Sequence, residues 1–129
     1  MREDGRLPAM RRANGPRQLT ELTDVYDFLD EVRLRPGMWL PRSSLKHLES
    51  LLTGYRAAMV VHGVEGEFDF WSPGTQGPFT EWLWHRLGRE SPLSWATEIE
   101  REAEATGVPA IELLFRLFDE YRADRDRAS

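Results

Sequence analysis

Few residues in this chain have the type and spacing to do chemistry. Its three histidines, His47, His62 and His85, are far apart and form no HxH, HxxxH or HExxH spacing. No helix can then offer two imidazoles to one metal ion. Asp27, Asp30 and Glu31 fall on one helical stretch and read as ordinary solvent-facing charge. A carboxylate metal site built from helices wants Glu-x-x-His pairs on two of them, and none is present. Cysteine is absent, which excludes disulfide scaffolds, thiolate zinc sites, iron–sulfur clusters and thiol nucleophiles. Lys46 is the only lysine, so Schiff-base or P-loop chemistry would rest on that one residue. Ser43, Ser44 and Ser72 stand in no GxSxG or SxxK context. Gly63, Gly66, Gly74 and Gly77 make neither GxGxxG nor GxxxxGK. The expectation is a chain with no cofactor, no metal and no catalytic residue.

One pair leaves an enzymatic or small-molecule alternative open. Glu81 and His85 are four apart and share a helix face. With Arg35 they would line a pocket of converging polar groups.

Binding residues are easier to name. The segment VRLRPGMWL, Val32 to Leu40, is the most distinctive stretch. Pro36 and Gly37 signal a turn. Arg35 is placed to cap the preceding helix or to pair with a carboxylate such as Glu81. Met38, Trp39 and Leu40 are expected to plug the core. The rival reading puts Arg35 and Trp39 in a partner or ligand pocket. Trp82 and Trp84 sit about 200° apart on a helix, so one of them faces away from the core. The inner face takes Trp82, so Trp84 lies either under the loop at 64–77 or at the surface, where it would be a candidate hot spot for a partner. Glu98, Glu100, Glu102 and Glu104 surround Arg101. They form a solvated face or, functionally, an acidic docking surface. The candidate partner-contact residues are therefore Trp84, Glu98, Glu102, Arg35 and Trp39.

Five helices must position these groups. The first starts near Thr20 or Thr23, with Asp24 also offering a capping oxygen, and carries Leu22, Val25, Phe28, Leu29 and Val32 on one face. It ends by Arg35, because a residue before proline avoids helical geometry. The second begins at Ser43 or Ser44 and repeats Leu45, Leu48, Leu52, Tyr55, Met59 and His62 at spacings of three and four. Gly63 stops it. Gly54 inside it costs about 1 kcal/mol against alanine and suggests close approach of another helix. Residues 64–77 read as a loop pinned by Phe68, Phe70 and Trp71. The third helix runs from Pro78 to about Leu87, with Phe79, Trp82, Leu83 and Leu87 inward. The fourth follows Ser91 and Pro92 and buries Trp95, Ala96, Ile99 and Ala103, with Gly107 as stop. The fifth opens at Val108 and Pro109, carries Ile111, Leu114, Phe115, Phe118 and Tyr121, and frays in the charged tail. No second extended run exists to pair with residues 68–70, so the class is all-α. The expected organisation is a disordered basic tail over 1–18, one compact helical domain over 19–124 and a frayed end over 125–129.

The charge sharpens this picture. The 129 residues carry a formal net charge of −5. Residues 1–18 hold five arginines against Glu3 and Asp4, a balance of +3, while the remainder holds 12 basic and 20 acidic residues, a balance of −8. An acidic body disfavours a nucleic-acid groove, since phosphate binding needs a basic footprint. Contact with nucleic acid is left only to the tail. No apolar run approaches the ~20 residues of a membrane helix, and the N-terminus lacks the apolar core of a secretory signal. With no cysteine, the cytoplasm is the expected compartment. Arginine in such excess over lysine suggests a GC-rich bacterial genome.

Arg35-Pro36-Gly37-Met38 resembles the motif near the start of the gyrase B ATPase domain. The helix after it holds Glu49 but no asparagine at the later magnesium-binding position. The phosphate glycine motifs and the sheet are missing as well, so the likeness is local. A wider resemblance covers about residues 22–122. The pieces are Arg35 to Leu40, Leu51-Leu52-Thr53-Gly54-Tyr55, Phe79-Thr80-Glu81-Trp82, Ser94-Trp95-Ala96 and Leu113 to Tyr121. In this order they resemble a family of small bacterial all-helical proteins of unassigned activity, some of them immunity-like. Trp39 replaces the usual tyrosine. The resemblance implies a non-catalytic, protein-binding module of the bacterial cytoplasm, of immunity or regulatory type. A negative body is suited to reach a basic toxin site quickly.

Overall fold

The computed structural model of the protein describes residues 17–71 and 77–128. Two compact units divide the chain, one through Ser43 and one from Ser44. All regular structure among the described residues is helical, which agrees with the all-α expectation.

In the first unit, a single 3-10 turn at Leu19–Glu21 precedes α1, Val25–Leu34. Asp24 is its N-cap, and the carboxylate accepts the Asp27 amide at 2.9 Å. Val25, Phe28, Leu29 and Val32 are its buried stripe, as the spacing predicts, while Leu22, expected on the same stripe, precedes the helix and is half-buried. The proline-glycine turn is more regular than expected. Pro36–Trp39 forms a one-turn helix, α2. Pro36 takes its first position, where the missing N–H costs nothing. A 3-10 turn, Pro41–Ser43, closes the unit, with Arg42 and Ser43 at left-handed φ of 56° and 54°.

The expected tail over 1–18 lies outside the described residues as far as residue 16. Arg17 and Gln18 are described and belong to the fold. The Arg17 backbone N–H and Nε both donate to Glu31, at 3.0 and 3.1 Å, and its guanidinium lies 3.4 Å from Asp27. Glu31 is buried, which corrects the reading of that acidic stretch as solvent-facing charge.

In the second unit, α3 spans Leu45–Val61 and is capped by Ser44, whose Oγ accepts the His47 amide. Leu45, Leu48 and Leu52 are buried, but the stripe then rises to the surface and His62 is exposed. The close approach expected at Gly54 is also absent: a Cβ there would meet nothing within 4 Å. Next, α4 spans Pro78–Leu87 and ends on the left-handed Gly88. Helix α5, Trp95–Thr106, is capped by Ser94 and not by Ser91, and ends on the left-handed Gly107. Helix α6, Ala110–Ala128, is the longest. It stays helical through the segment expected to fray, because Asp124 and Arg125 have partners elsewhere in the unit. Leu113 and Leu117, which the spacing reading left out, are buried on α6, while Ile111 is only half-buried.

Helix α5 packs between α3 and α6. The core is an aromatic cluster centred on Phe79. Its ring centroid lies 4.8 Å from Phe118, 5.4 Å from Tyr121, 5.7 Å from Phe70 and 5.9 Å from Trp95. Most of these contacts are edge-to-face, the arrangement ring quadrupoles favour. Phe68 and Phe70 are buried, as expected of loop anchors, whereas Trp71, the third expected anchor, is only half-buried.

Candidate functional site

The structure brings two of the five candidate partner residues together, in the first unit. Arg35 ends α1 and its backbone N–H donates to the Glu31 carbonyl at 3.1 Å. Its side chain is exposed and reaches the Met38 sulfur at 3.9 Å. Trp39, one turn on, is half-buried and meets Phe28 edge-to-face at 5.1 Å. Between them Met38 is 65% exposed, which corrects its expected place in the core; of Met38, Trp39 and Leu40, only Leu40 is fully buried. Arg35, Met38 and Trp39 line one groove of about 390 Å³ with Arg17, Gln18, Leu19 and Glu31. The short helix α2 makes this possible. Its tight turn holds Trp39 against Phe28 while Met38 points outward.

The groove has fixed electrostatics. Burial alone would lower Arg17, but hydrogen bonds and charge from Glu31 and Asp27 hold it above its ordinary value. Burial would raise Asp27, yet the hydrogen bonds from Thr23, aided by Arg17, hold it below the usual carboxylate range. Arg17 faces three carboxylates, Asp27, Asp30 and Glu31, and Arg35 is an exposed cation at the rim of this wall.

The acidic candidates behave differently. Glu98 is 1% exposed and cannot serve as an exposed docking residue. It accepts from Arg89 Nε at 3.2 Å, from the Ser91 hydroxyl at 2.9 Å and from Arg101 at 2.9 Å. Burial would raise its pKa; Ser91, Arg101 and Arg89 outweigh that and hold it low. Glu102 also meets Arg89, at 3.5 Å. The structure brings Glu98 and Glu102 together, but onto one shared arginine, Arg89. Their role is to fasten the 89–91 segment to α5, which corrects the reading of this pair as a free acidic surface.

Trp82 is the inward tryptophan of α4. It stacks on Phe79, and its Nε1 donates to Asp124 at 2.8 Å. Trp84 is half-buried. Glu81 and His85 are both exposed on α4, in the second unit, while Arg35 belongs to the first.

The sequence reading missed a recess in the second unit. Two adjoining hollows, of about 270 and 230 Å³, share Glu49, Phe70, Trp71 and Trp95 in their lining. Ser50 and Thr53 border one, Thr80 and Ser94 the other. In the sequence, Glu49 stands out only within the gyrase-like motif. Its position on α3, one residue after buried Leu48, was the available signal that it flanks the core. Burial pushes its carboxyl up; a hydrogen bond with Ser94 opposes this, Glu100 adds to it, and Lys46 opposes it more weakly.

Among the described residues, no group of three or more histidines or carboxylates is placed to hold a metal ion. No helix among them is long and apolar enough to cross a membrane. No family model, no curated protein and no solved structure matches the chain.

Proposed function

We propose that this protein is a non-catalytic binding module that acts by contact with another protein in the bacterial cytoplasm, in a regulatory or immunity-type role. The contact face is the groove of the first unit. The observation that supports it is the exposed Met38 held between Arg35 and Trp39. A long apolar side chain projecting from a rigid turn, beside an arginine and a tryptophan, is the residue set that dominates partner energetics. Leu19 and Leu34 are exposed in the same unit and add apolar area. The resemblance of Arg35 to Leu40 to the motif of a family with immunity-like members agrees with this reading. The acidic balance of the chain would speed encounter with a basic partner.

The test is site-specific crosslinking in the source cell. A photoreactive residue in place of Met38 should give a discrete protein adduct, and the same residue in place of exposed Ala57 on α3 should not. Replacing Arg35 by glutamate should weaken the Met38 adduct. No adduct at Met38, or equal adducts at both positions, would end the proposal.

A further inference from the structure

The second unit treats its carboxylates unequally. The buried ones, Asp69 and Glu98, each have arginine partners, and Glu31 in the first unit is matched in the same way. Glu49 is half-buried between aromatic rings, and among the described residues it forms no ion pair. Its neighbours are the Ser94 side chain, the like charge of Glu100 and the weaker field of Lys46. A carboxylate removed from water without a cation is costly. The rings around it, Phe70, Trp71 and Trp95, offer π faces that attract positive charge and apolar edges that cover a stem.

We propose that this recess binds an organic cation with an apolar stem, an alkylguanidinium or alkylammonium group, with Glu49 as its counterion and Trp71 as its aromatic wall. Such a group completes the pattern that arginines supply at the buried carboxylates Glu31, Asp69 and Glu98. The stem lies along Trp71 and the ring edges, and the charged head meets the Glu49 oxygens. The site is independent of the groove that carries Arg35 and Met38.

The probes are ethylguanidinium, butylammonium and the neutral isostere propylurea, titrated separately into the full chain at neutral pH and low salt. Indole N–H signals in NMR report binding, and Trp71→Phe assigns the signal of Trp71. Both cations, or one of them, should bind saturably and shift the Trp71 signal, with propylurea at least about tenfold weaker. Preference for guanidinium identifies a flat cation stacked on the ring, whereas preference for ammonium identifies a point charge.

Glu49→Gln should weaken the cation at least about tenfold with the melting temperature retained. A pH series on the unaltered chain keeps the proposal testable if that variant fails to fold. Lowering the pH protonates Glu49 before an ordinary carboxylate, so cation binding should fall on the acid side. Lys46 and Glu100 are the charged groups that face Glu49, and Glu100→Gln should leave most of the binding in place. Urea binding as tight as the cation, no saturable binding, or affinity unchanged by Glu49→Gln and by acid would each overturn the proposal.

Discussion

Arg125, near the end of α6, donates to the Asp69 carboxylate at 2.5 Å across 56 positions of sequence. Asp69 is buried in the loop before α4. Its backbone carbonyl accepts the Phe79 N–H at 2.9 Å, satisfying one of the orphan donors at the start of α4. Gly77, the N-cap, has no side chain to do this. One residue therefore ties the loop, α4 and α6 together.

Arg125→Ala should destabilise the protein by about 2–3 kcal/mol, below the range for a fully buried pair because the arginine is partly exposed. Chemical denaturation measures it. An unchanged midpoint would mean that water replaces the guanidinium at no cost.

Tyr121 gives an alkaline signature. Its burial, with the charge and hydrogen bond of Asp69 added and Arg125 opposing, pushes the phenol up to about 12. The folded state thus resists ionisation more than the unfolded chain, whose value is near 10. The contribution is whole below that value and is lost as pH climbs from there to about 12. Tyr121→Phe should flatten the fall in unfolding free energy over that window. An identical alkaline limb in the variant would refute the assignment.

Glu98 gives the acid counterpart. Burial opposes its ionisation, but Ser91, Arg101 and Arg89 hold its pKa below the ordinary value of 4.5. Its stabilising contribution is present above 4.5 and is lost as pH falls through the lower folded value. Glu98→Gln should cost about 1–3 kcal/mol at neutral pH and make stability less sensitive to acid. The measurement is denaturant unfolding in a pH series. A variant as stable as the parent at pH 7 would show that the three donors are satisfied by solvent.

The local rules were legible in the sequence. Asp24, Ser44, Gly88 and Gly107 bound helices because capping oxygens and left-handed glycines act within one turn of the residue that carries them. Longer-range features were hidden. Glu98 flanks the stripe of Trp95 and Ile99, and its partners Arg89 and Ser91 lie in the preceding connection, so counting apolar positions left it on the surface. Arg17 looked like part of a basic tail because its partner Glu31 is 14 positions on. Met38 looked like core because apolar character does not say which way a one-turn helix points it. For the candidate sites, the motif pointed to Arg35 and Trp39, which line one groove. The Glu49 recess was not legible, since it is assembled from α3, the loop at Phe70 and Trp71, and the start of α5.

Two glycines should respond in opposite directions. Gly54 is exposed on α3, and a methyl there meets nothing, so Gly54→Ala should stabilise by about 1 kcal/mol. Gly77 sits at φ 88°, and a Cβ there would come within 2.7 Å of the Asp69 carbonyl. Gly77→Ala should destabilise by more than about 1 kcal/mol. Thermal melts of the two variants should bracket the parent; a Gly54→Ala melt below it would mean that the helix face there is covered.

The tie between Asp69 and Arg125 also sets an order of events during synthesis. Translation delivers the loop carboxylate and its neighbouring rings 56 residues before the guanidinium that compensates them. Until α6 emerges, Phe70 and Phe79 lack Phe118 and Tyr121 as well. The nascent second unit is therefore a set of exposed aromatic helices waiting on its last element, the state in which a chain is most open to chaperones and to aggregation.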